Sequence, residues 1–273
     1  MEEYKVYVVP TPIGNLKDIT LRALEVLRYV DIIACEDTRH TKTLLNAYDI
    51  DKKLIAYHEF NEEDSTRGII KYINEGRTIA LVTDPGMPGI SDPGHYLINT
   101  LIDNNISFTV LPGPSASITA LVKSGFPSDK FVFLGFFPRK KKEQEEWIKR
   151  IKEINLTTIL YESPKRIGDV LELLKERIPD RKVCVIREIS KIYEESRTFY
   201  LKDYEKGSII EKGECIFLIG PKVDDVKLEE TQVLKYMDDL KDLGYSNKDI
   251  INIISKLFDI KKNKLKKISL DNK

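Results

Sequence analysis

Short apolar segments alternate with amphipathic segments along most of this chain, and the alternation constrains the fold more than any other feature. Runs such as Ile32–Cys35 and Ile79–Val82 have the length and composition of buried strands. Between such runs, segments such as Leu21–Val30 place apolar residues at helical spacing. Because strands that alternate with helices form largely parallel sheets covered by those helices, the sequence predicts an α/β fold.

The predicted elements continue to about residue 220. The predicted strands are Val6–Val9, Ile32–Cys35, Leu54–Tyr57, Ile79–Val82, Ser107–Leu111, Phe131–Phe137, Thr157–Tyr161, Val183–Ile189, Ile192–Leu201 and Cys215–Ile219. The predicted helices are Leu21–Val30, a helix from about Thr38, Asn61–Glu75, a helix from about Pro93, Lys140–Ile154 and Pro164–Ile178. We expect some of the later strands to be antiparallel.

The chain has 273 residues, whereas single domains are commonest at about 100–150 residues. We predict an N-terminal α/β domain of residues 1–112, a C-terminal α/β domain of residues 113–222 and a helical tail of residues 223–273. In the tail, Gly244 ends one predicted helix and Ser246 caps the next. The lysines of Lys261–Lys267 are expected at a helix C-terminus, where cations interact favourably with the helix dipole.

Composition and charge indicate the class of protein but not its partner. Lys and Arg total 44 and so do Asp and Glu, so the net charge favours no nucleic-acid partner by itself. Cys35, Cys184 and Cys215 lie in apolar runs without CxxC spacing, which predicts buried, reduced thiols. The start of the chain lacks a signal-peptide pattern, and no window approaches about 18 apolar residues. We therefore expect a soluble, cytoplasmic protein without a membrane partner.

Four loops that follow predicted strands are rich in proline, glycine or charged residues. They are PTPIGN (Pro10–Asn15), CEDTRH (Cys35–His40), YHEFNEED (Tyr57–Asp64) and TDPGMPGISDPG (Thr83–Gly94). Ligands of open α/β sheets bind at the carboxyl ends of the strands. Proline and glycine make such loops rigid while leaving backbone N–H and C=O groups accessible. One such loop is more often a simple turn, but several at one edge indicate a binding site for a ligand with many polar atoms.

Several common site types are absent from the sequence. There is no GxGxxG, no P-loop and no GxSxG motif. His40, His58 and His95 lack the spacing of metal ligands, so we expect no metal. A nucleotide-like or sulfonium cofactor, held mainly by backbone groups, remains.

Several segments together carry a family pattern, from Val8 to about Gly220. They are PTPIGNLKDITLRALEVLRYVDIIACEDTRHTKTLL, DPGMPGISDPG, LPGPSASITALVKSGFPSDKFVFLGFFPRKKKE, YESPKRI, REISKIYEE and KGECIFLIG. They closely resemble the ribosomal RNA small subunit methyltransferase I family of the tetrapyrrole methylase superfamily. The resemblance implies two α/β domains with S-adenosylmethionine in the cleft between them, and a homodimer. It also implies methylation of the ribose 2′-hydroxyl of a decoding-centre cytidine in 16S rRNA, and the tail is similar to the helix-turn-helix segment often found in this family.

The resemblance implies which residues contact the cofactor. They are Pro12, Gly14, Asp84, Gly86, Gly89, Ile90, Ser115, Ala116, Tyr161 and Glu162. The family usually has Asp-Ala-Gly-Thr-Pro in the loop where this chain has Asp84-Pro85-Gly86-Met87-Pro88. Met87 therefore lacks the hydroxyl that the family pattern provides.

A ribose hydroxyl is a weak acid, so a positioned base or cation would assist its methylation. Glu36, Asp37 and Arg39 leave one strand end together and are the candidate catalytic residues. An alternative remains open, in which Glu36 or Asp37 caps the following helix and Arg39 pairs with an acid. Asp92 either contacts the reacting region or only starts a turn.

Two further polar groups are candidates for contacts with RNA. His58, Asn61 and Glu62 form a cluster for which RNA or dimer contacts are favoured over proton transfer. Basic residues beside Phe136 and Phe137 can bind phosphates. The basic candidates are Arg139, Lys140, Lys141, Lys142, Lys165 and Arg166, and Arg187 and Lys191 could extend this track. The alternative is a solvated helix start, with both phenylalanines in the core.

Two other functions remain open on the sequence alone. One is a small-molecule methyltransferase that acts on a tetrapyrrole or precorrin, which would use the same cofactor cleft but would not need the basic residues. The other is a non-catalytic, RNA-binding ribosome assembly factor.

Overall fold

The structure is a computed structural model, which describes residues 4–222, 230–258 and 260–270. The chain separates after residue 222 into two compact units. The predicted tail therefore includes residues 223–229, 259 and 271–273, which lie outside the described residues. Within the described ranges, no helix has both the length and the apolar character needed to cross a lipid bilayer.

The first unit begins with a sheet of five parallel strands. They are β1 (Val6–Val8), β2 (Ile32–Cys35), β3 (Lys53–Ala56), β4 (Ile79–Val82) and β5 (Phe108–Val110), in the order β3-β2-β4-β1-β5. The helices that connect them are α1 (Leu21–Tyr29), α2 (Thr38–Asn46), α3 (Glu62–Asn74) and α4 (His95–Asp103). β1, β2 and β4 are fully buried, as expected of central parallel strands.

Helices cover both faces of this sheet because its strand residues alternate between two apolar clusters. Tyr7 of β1 packs in one cluster with residues of α1 and α2. Its neighbour Val6 packs in the other, with residues of α3 and α4. The parallel pairing places the carboxyl ends of β1, β2, β3 and β4 at one edge. The four loops that the sequence singled out therefore lie together, as predicted.

The second sheet is mixed. Its strands are β6 (Phe131–Phe136), β7 (Thr157–Glu162), β8 (Lys182–Arg187), β9 (Glu195–Tyr200) and β10 (Cys215–Ile219), in the order β6-β7-β10-β8-β9. Only β6 and β7 are parallel; the other pairs are antiparallel. The predicted α/β fold is thus confirmed, and each predicted strand is present. The predicted limits 1–112 and 113–222 stay a prediction, since both sheets lie in one compact unit.

Three helices pack on the second sheet. α5 (Ala116–Ser124) covers one face, and α6 (Lys141–Glu153) and α7 (Pro164–Arg177) contribute to the cluster on the other. Helix α5 was not predicted from the sequence; it ends at Gly125 in the left-handed conformation (φ +68°). Proline is the first residue of α7, as predicted. Cys35, Cys184 and Cys215 are buried and free, which confirms the predicted reduced thiols.

The described part of the second unit contains three helices, α8 (Glu230–Asp242), α9 (Asn247–Phe258) and α10 (Lys262–Leu270). Apolar side chains from all three helices form one buried cluster. Gly244 has a positive φ of +87° after α8, and the Ser246 hydroxyl accepts the Asp249 N–H (3.3 Å) before α9, as predicted. The expected position of Lys261–Lys267 at a helix C-terminus is right for Lys267, which lies in the last turn of α10, but wrong for Lys261, Lys262 and Lys264, which lie at its start.

Candidate active site

The side chain of Thr11 ties together two loops at the carboxyl edge of the first sheet. Its hydroxyl donates to the backbone oxygen of Thr83 (2.8 Å) and accepts from the backbone N–H of Gly86 (3.1 Å). The Thr11 N–H donates to the Gly86 oxygen (2.9 Å). Because Thr11 is only 2% exposed, water does not compete for these bonds. The loops after β1 and β4 therefore have one fixed relative position.

The loop after β4 contains the two Asp-Pro-Gly sequences, and three of its glycines have positive φ. The values are +109° at Gly86, +81° at Gly89 and +139° at Gly94, which residues with a Cβ rarely adopt. The Gly94 N–H donates to the Glu62 carboxylate (2.7 Å), which connects this loop to the start of α3. The Asp84–Pro85 peptide bond is cis.

A cavity of about 410 Å³ lies between this loop and the second sheet. Its apolar lining comes from Ile13, Ile90, Ala116, Phe136, Ile186 and Ile216. Its polar lining includes Asp84, Asp92, Ser115, Tyr161, Glu162 and Ser163. The volume is within the range of about 300–1,000 Å³ that is typical of small-molecule sites.

Ile13 and an aromatic group shape the apolar wall. Ile13 leaves the loop after β1 and packs in the apolar cluster of the second sheet, so it joins the two halves of the unit. The Tyr161 ring lies edge-to-face with Phe133 (5.1 Å between centroids) and Phe136 (5.5 Å). The pairing of β6 with β7 shifts in register between Phe133 and Phe136, and Gly135 has a positive φ of +72° there. Phe136 is 58% exposed.

Three carboxyl groups interact at the ends of β2 and β4. The pKa of Asp92 is raised to about 7, mainly by burial and also by the charges of Glu36 and Asp84, while the Thr83 hydroxyl opposes the shift. Burial also raises the pKa of Glu36 and that of Asp84. The Asp84 carboxylate accepts from the Asp37 N–H (2.9 Å) and from a threonine hydroxyl of α2. Among the described residues, no group of His, Cys, Asp or Glu is arranged to hold a metal ion.

Asp37 and Arg39 have structural roles, as in the alternative in which Asp37 caps the following helix and Arg39 pairs with an acid. The Asp37 carboxylate accepts the Arg39 N–H (2.8 Å) and caps α2. It also pairs with the Arg39 guanidinium (2.8 Å), whose hydrogen bonds hold the pKa of Asp37 well below its usual range. The Arg39 side chain is 91% exposed. Glu36, not Asp37, is the member of the predicted catalytic group whose charge acts on Asp92.

The second polar cluster has a role in the loop after β3. The Asn61 amide oxygen accepts the His58 N–H (2.8 Å), and its nitrogen donates to the Ala56 oxygen (3.4 Å). The Glu62 carboxylate also accepts the Gly94 N–H. Together these contacts hold the loop after β3 and connect it to the loop after β4. The predicted contacts of this cluster with RNA or a second subunit stay a prediction.

Most of the predicted cofactor contacts lie at one cavity. Asp84, Gly86, Ile90, Ser115, Ala116, Tyr161 and Glu162 line it. Pro12 and Gly14 instead line a neighbouring cavity of about 380 Å³, and Gly89 lines neither. At Gly14, a Cβ would lie 2.5 Å from the Lys191 side chain and 2.9 Å from the Ile189 oxygen. Glycine is therefore required there by the contact between the two halves of the unit.

Glu162 provides a polar group without a partner. Its side chain is 1% exposed, and burial raises its pKa although Arg166 and Arg139 oppose the shift. One carboxylate oxygen accepts the Ser163 N–H (2.6 Å) and lies 3.3 Å from Arg166. The other oxygen has no hydrogen-bond partner among the described residues. A ligand with a hydrogen-bond donor would satisfy it.

The predicted RNA-binding residues lie on the protein surface around the start of α6 and α7. Arg139, Lys140, Lys141, Lys142 and Lys165 are exposed, and Arg166 is half-buried. Lys140 lies 3.3 Å from Glu143, and Arg166 donates to the Pro138 oxygen (2.8 Å). The alternative placed both phenylalanines in the core. Phe137 does lie there, but Phe136 lines the cavity.

Sequence comparison assigns the family of this site. Residues 5–204 match the family model of the tetrapyrrole (corrin/porphyrin) methylases. The chain is 40% identical over 257 residues to the ribosomal RNA small subunit methyltransferase I of Halalkalibacterium halodurans, which covers 91% of this chain and 89% of the relative. The chain belongs to the ribosomal RNA small subunit methyltransferase I family. The resemblance seen in the sequence is thereby confirmed.

Other comparisons agree with this family. A ribosomal RNA small subunit methyltransferase I from Hydrogenobaculum sp. is 49% identical over 201 residues, which are 73% of this chain and 86% of the relative. The crystal structure of the methyltransferase CobJ has a TM-score of 0.61 at 17% identity, covering 80% of this chain and 95% of that one. At that identity, the likeness shows the shared fold alone.

Methyltransferases of the tetrapyrrole methylase family use S-adenosylmethionine, and the cavity fits this cofactor. The carboxylates Asp84 and Asp92 suit a cationic sulfonium, and the unpartnered oxygen of Glu162 suits a donor group. The N-terminal end of α5, at Ser115 and Ala116, suits the cofactor's carboxylate because the helix dipole is positive there. The predicted cofactor is thus confirmed, whereas the individual contacts stay predictions.

We predict that Thr11→Val weakens both the fold and cofactor binding. Valine has the same shape but leaves the Thr83 oxygen and the Gly86 N–H without their partner, which costs about 1–3 kcal/mol of unfolding free energy. Urea denaturation and calorimetry with S-adenosylmethionine measure the two effects. Thr11→Ser keeps the hydroxyl and serves as the control. Equal stability of the valine and serine variants would contradict the role given to Thr11.

We also predict that the affinity for S-adenosylmethionine rises with pH. The Asp92 carboxyl, which faces Glu36, Asp84 and Tyr161, ionises as the pH passes about 7 and then attracts the sulfonium charge. Between pH 6 and pH 8 we expect a gain of about tenfold. S-adenosylhomocysteine is the matched control, because it lacks only the methyl group and the charge on sulfur. Parallel pH profiles for the two compounds, measured by calorimetry, would rule the cluster out as the cause.

Proposed function

We propose that this protein methylates small-subunit ribosomal RNA, at the ribose 2′-hydroxyl of a decoding-centre cytidine. The observation that carries the proposal is 40% identity, across 91% of the chain, to a protein named for ribosomal RNA methylation. The choice of the cytidine and of its 2′-hydroxyl rests on the family motifs in the sequence. We further propose that the protein acts in the cytoplasm as a homodimer, as the same motifs imply.

S-adenosylmethionine supplies a methyl group on a positively charged sulfur, which already activates the carbon for transfer. The protein's remaining tasks are to align the reactants, exclude water and accept the proton of the hydroxyl. The rigid loops joined through Thr11 provide alignment. The apolar wall of Ile13, Phe136 and Ile216 limits access of water.

We propose that Asp92 accepts the proton. It lines the cavity, and its pKa of about 7 lets it take up a proton at neutral pH, which an ordinary aspartate does poorly. Glu36 acts as a positioning residue, since its charge contributes to that raised pKa. Asp37 and Arg39, which pair with each other at the surface, would contribute to substrate contact instead.

The basic residues at the start of α6 and α7 are the proposed contacts to RNA phosphates. They lie beside Phe136, which is more than half exposed and lines the cofactor cavity. An exposed aromatic ring next to cations suits a nucleotide, whose base stacks while its phosphate is neutralised. This arrangement favours RNA over a tetrapyrrole as the substrate, since a small substrate would not need surface cations.

We expect Asp92→Asn to reduce methyl transfer by about 10²–10³-fold, because the proton acceptor is lost. The folded state raises the pKa of Asp92 above its unfolded value, so the carboxyl destabilises the fold increasingly as pH rises from about 4 to about 7. The asparagine variant should therefore unfold at higher temperature than wild type at pH 8, but not at pH 4. Asp129→Asn, at an exposed position before β6 and outside the cavity lining, is the control for the loss of one negative charge. Full activity of the Asp92 variant would exclude it as the base.

The proposed function is tested by mapping ribose methyl groups of 16S rRNA by mass spectrometry. RNA from a strain lacking this gene should lack one methyl group, on a decoding-centre cytidine, and the purified protein with S-adenosylmethionine should restore it. Unchanged rRNA methylation, together with normal cofactor binding, would point to a small-molecule substrate. Absence of cofactor binding at millimolar concentration would favour the assembly-factor alternative.

A further inference from the structure

Helix α10 and the residue before it are rich in lysine. Five lysines occur between Lys261 and Lys267, and residues 260–270 contain no acidic side chain. All five are exposed, while Leu265 and Ile268 of the same helix are buried against α8 and α9. The lysines, together with Asn263, therefore form the exposed side of the helix, and Ser269 is half-buried.

This arrangement opposes the stability of the helix itself. Lys261, Lys262 and Lys264 lie at the N-terminal end of α10, where the helix dipole is positive and cations are unfavourable. Lys262 and Lys266 are four residues apart, so their like charges lie side by side and repel each other. Cations at a helix C-terminus would have an ordinary structural explanation, but cations at this end do not.

Within the described residues, these charges have no compensating partner. None of the five ammonium groups has an ion pair or side-chain hydrogen bond within residues 4–222, 230–258 and 260–270. By contrast, Lys241 of α8 lies 3.7 Å from Asp238 on the same helix. The free energy that α10 loses to repulsion would be recovered by a bound polyanion.

We propose that α10 is a docking surface for the phosphate backbone of RNA. Phosphates neutralise lysines at close spacing and release counterions, which is the main source of sequence-independent affinity. An anionic membrane fits less well, because helices that bind membranes insert a free apolar face. The apolar face of α10, at Leu265 and Ile268, is already buried within its own unit.

This role goes beyond the methyl-transfer reaction and does not depend on it. Docking through α10 would hold RNA without reading its sequence, because lysines that contact only phosphates carry no base specificity. Binding is therefore measured without a methyl donor, so a failure of the proposed reaction would leave this test unaffected.

The test compares two full-length variants with the same change in charge. The first variant replaces four lysines of α10 by Gln: Lys262, Lys264, Lys266 and Lys267. The control variant replaces four exposed lysines of α8 and α9 by Gln: Lys235, Lys241, Lys248 and Lys256. Binding to a fluorescent RNA hairpin is measured at several KCl concentrations. The plot of log K against log salt has a negative slope, and each lost phosphate contact makes it less steep by about 0.7–0.9. The slope of the α10 variant should therefore be smaller in magnitude than that of wild type by about 3.

At about 0.1 M salt, the α10 variant should bind at least about tenfold more weakly than wild type, and the control variant should bind almost normally. A variant with Arg at the same four α10 positions should retain affinity, and circular dichroism should show equal helix content in all variants. Equal losses in both Gln variants would overturn the proposal, since net charge would then be the cause. Unchanged RNA binding by the α10 Gln variant would also overturn it. If that variant instead lost binding to phosphatidylserine-containing vesicles, the partner would be a membrane.

Discussion

The buried hydroxyl of Thr11 is the contact on which the geometry of the cofactor cavity depends. It satisfies a carbonyl and an amide of the loop after β4 at once, and both would otherwise be buried without a partner. This loop has positive φ at three glycines, and it has internal backbone hydrogen bonds from the Gly89 N–H to the Pro93 oxygen (3.1 Å) and from the Ile90 N–H to the Met87 oxygen (3.3 Å). Neighbouring elements also hold it: Thr11 near one end and the Glu62 carboxylate at the other.

The two sheets contribute different chemistry to the site. The first sheet brings charged groups, because the ends of its parallel strands place Glu36, Asp84 and Asp92 at one edge. The second brings apolar and aromatic groups, such as Phe136, and the buried acid Glu162. Ile13 crosses from one half to the other: it packs in the apolar cluster of the second sheet and also lines the cavity. A ligand enclosed there meets charge on one side and an apolar wall on the other.

Much of the fold follows from local sequence patterns, whereas the electrostatics of the site do not. Apolar runs such as Ile79–Val82 predict strands because few other structures can bury them. Helix α5 was missed because its apolar residues do not mark one face: Ile118 and Val122 are exposed, whereas Ala120 and Leu121 are buried. Nothing local indicates that Glu36 and Asp92 interact, since their proximity depends on β4 pairing with β2. Likewise, the need for glycine at position 14 arises from a contact with Lys191, far along the chain.

The raised pKa values of three neighbouring carboxyls show that the fold tolerates an unfavourable interaction at this site. Clustered carboxylates repel one another, and burial further disfavours their charged forms. A cation placed among them removes that cost, but the neutral thioether that remains after methyl transfer does not. We therefore expect the same cluster to favour the charged donor over the spent product, and to do so more strongly as pH rises. Selection for donor over product would then need no movement of the protein, because it follows from the loss of one charge on sulfur.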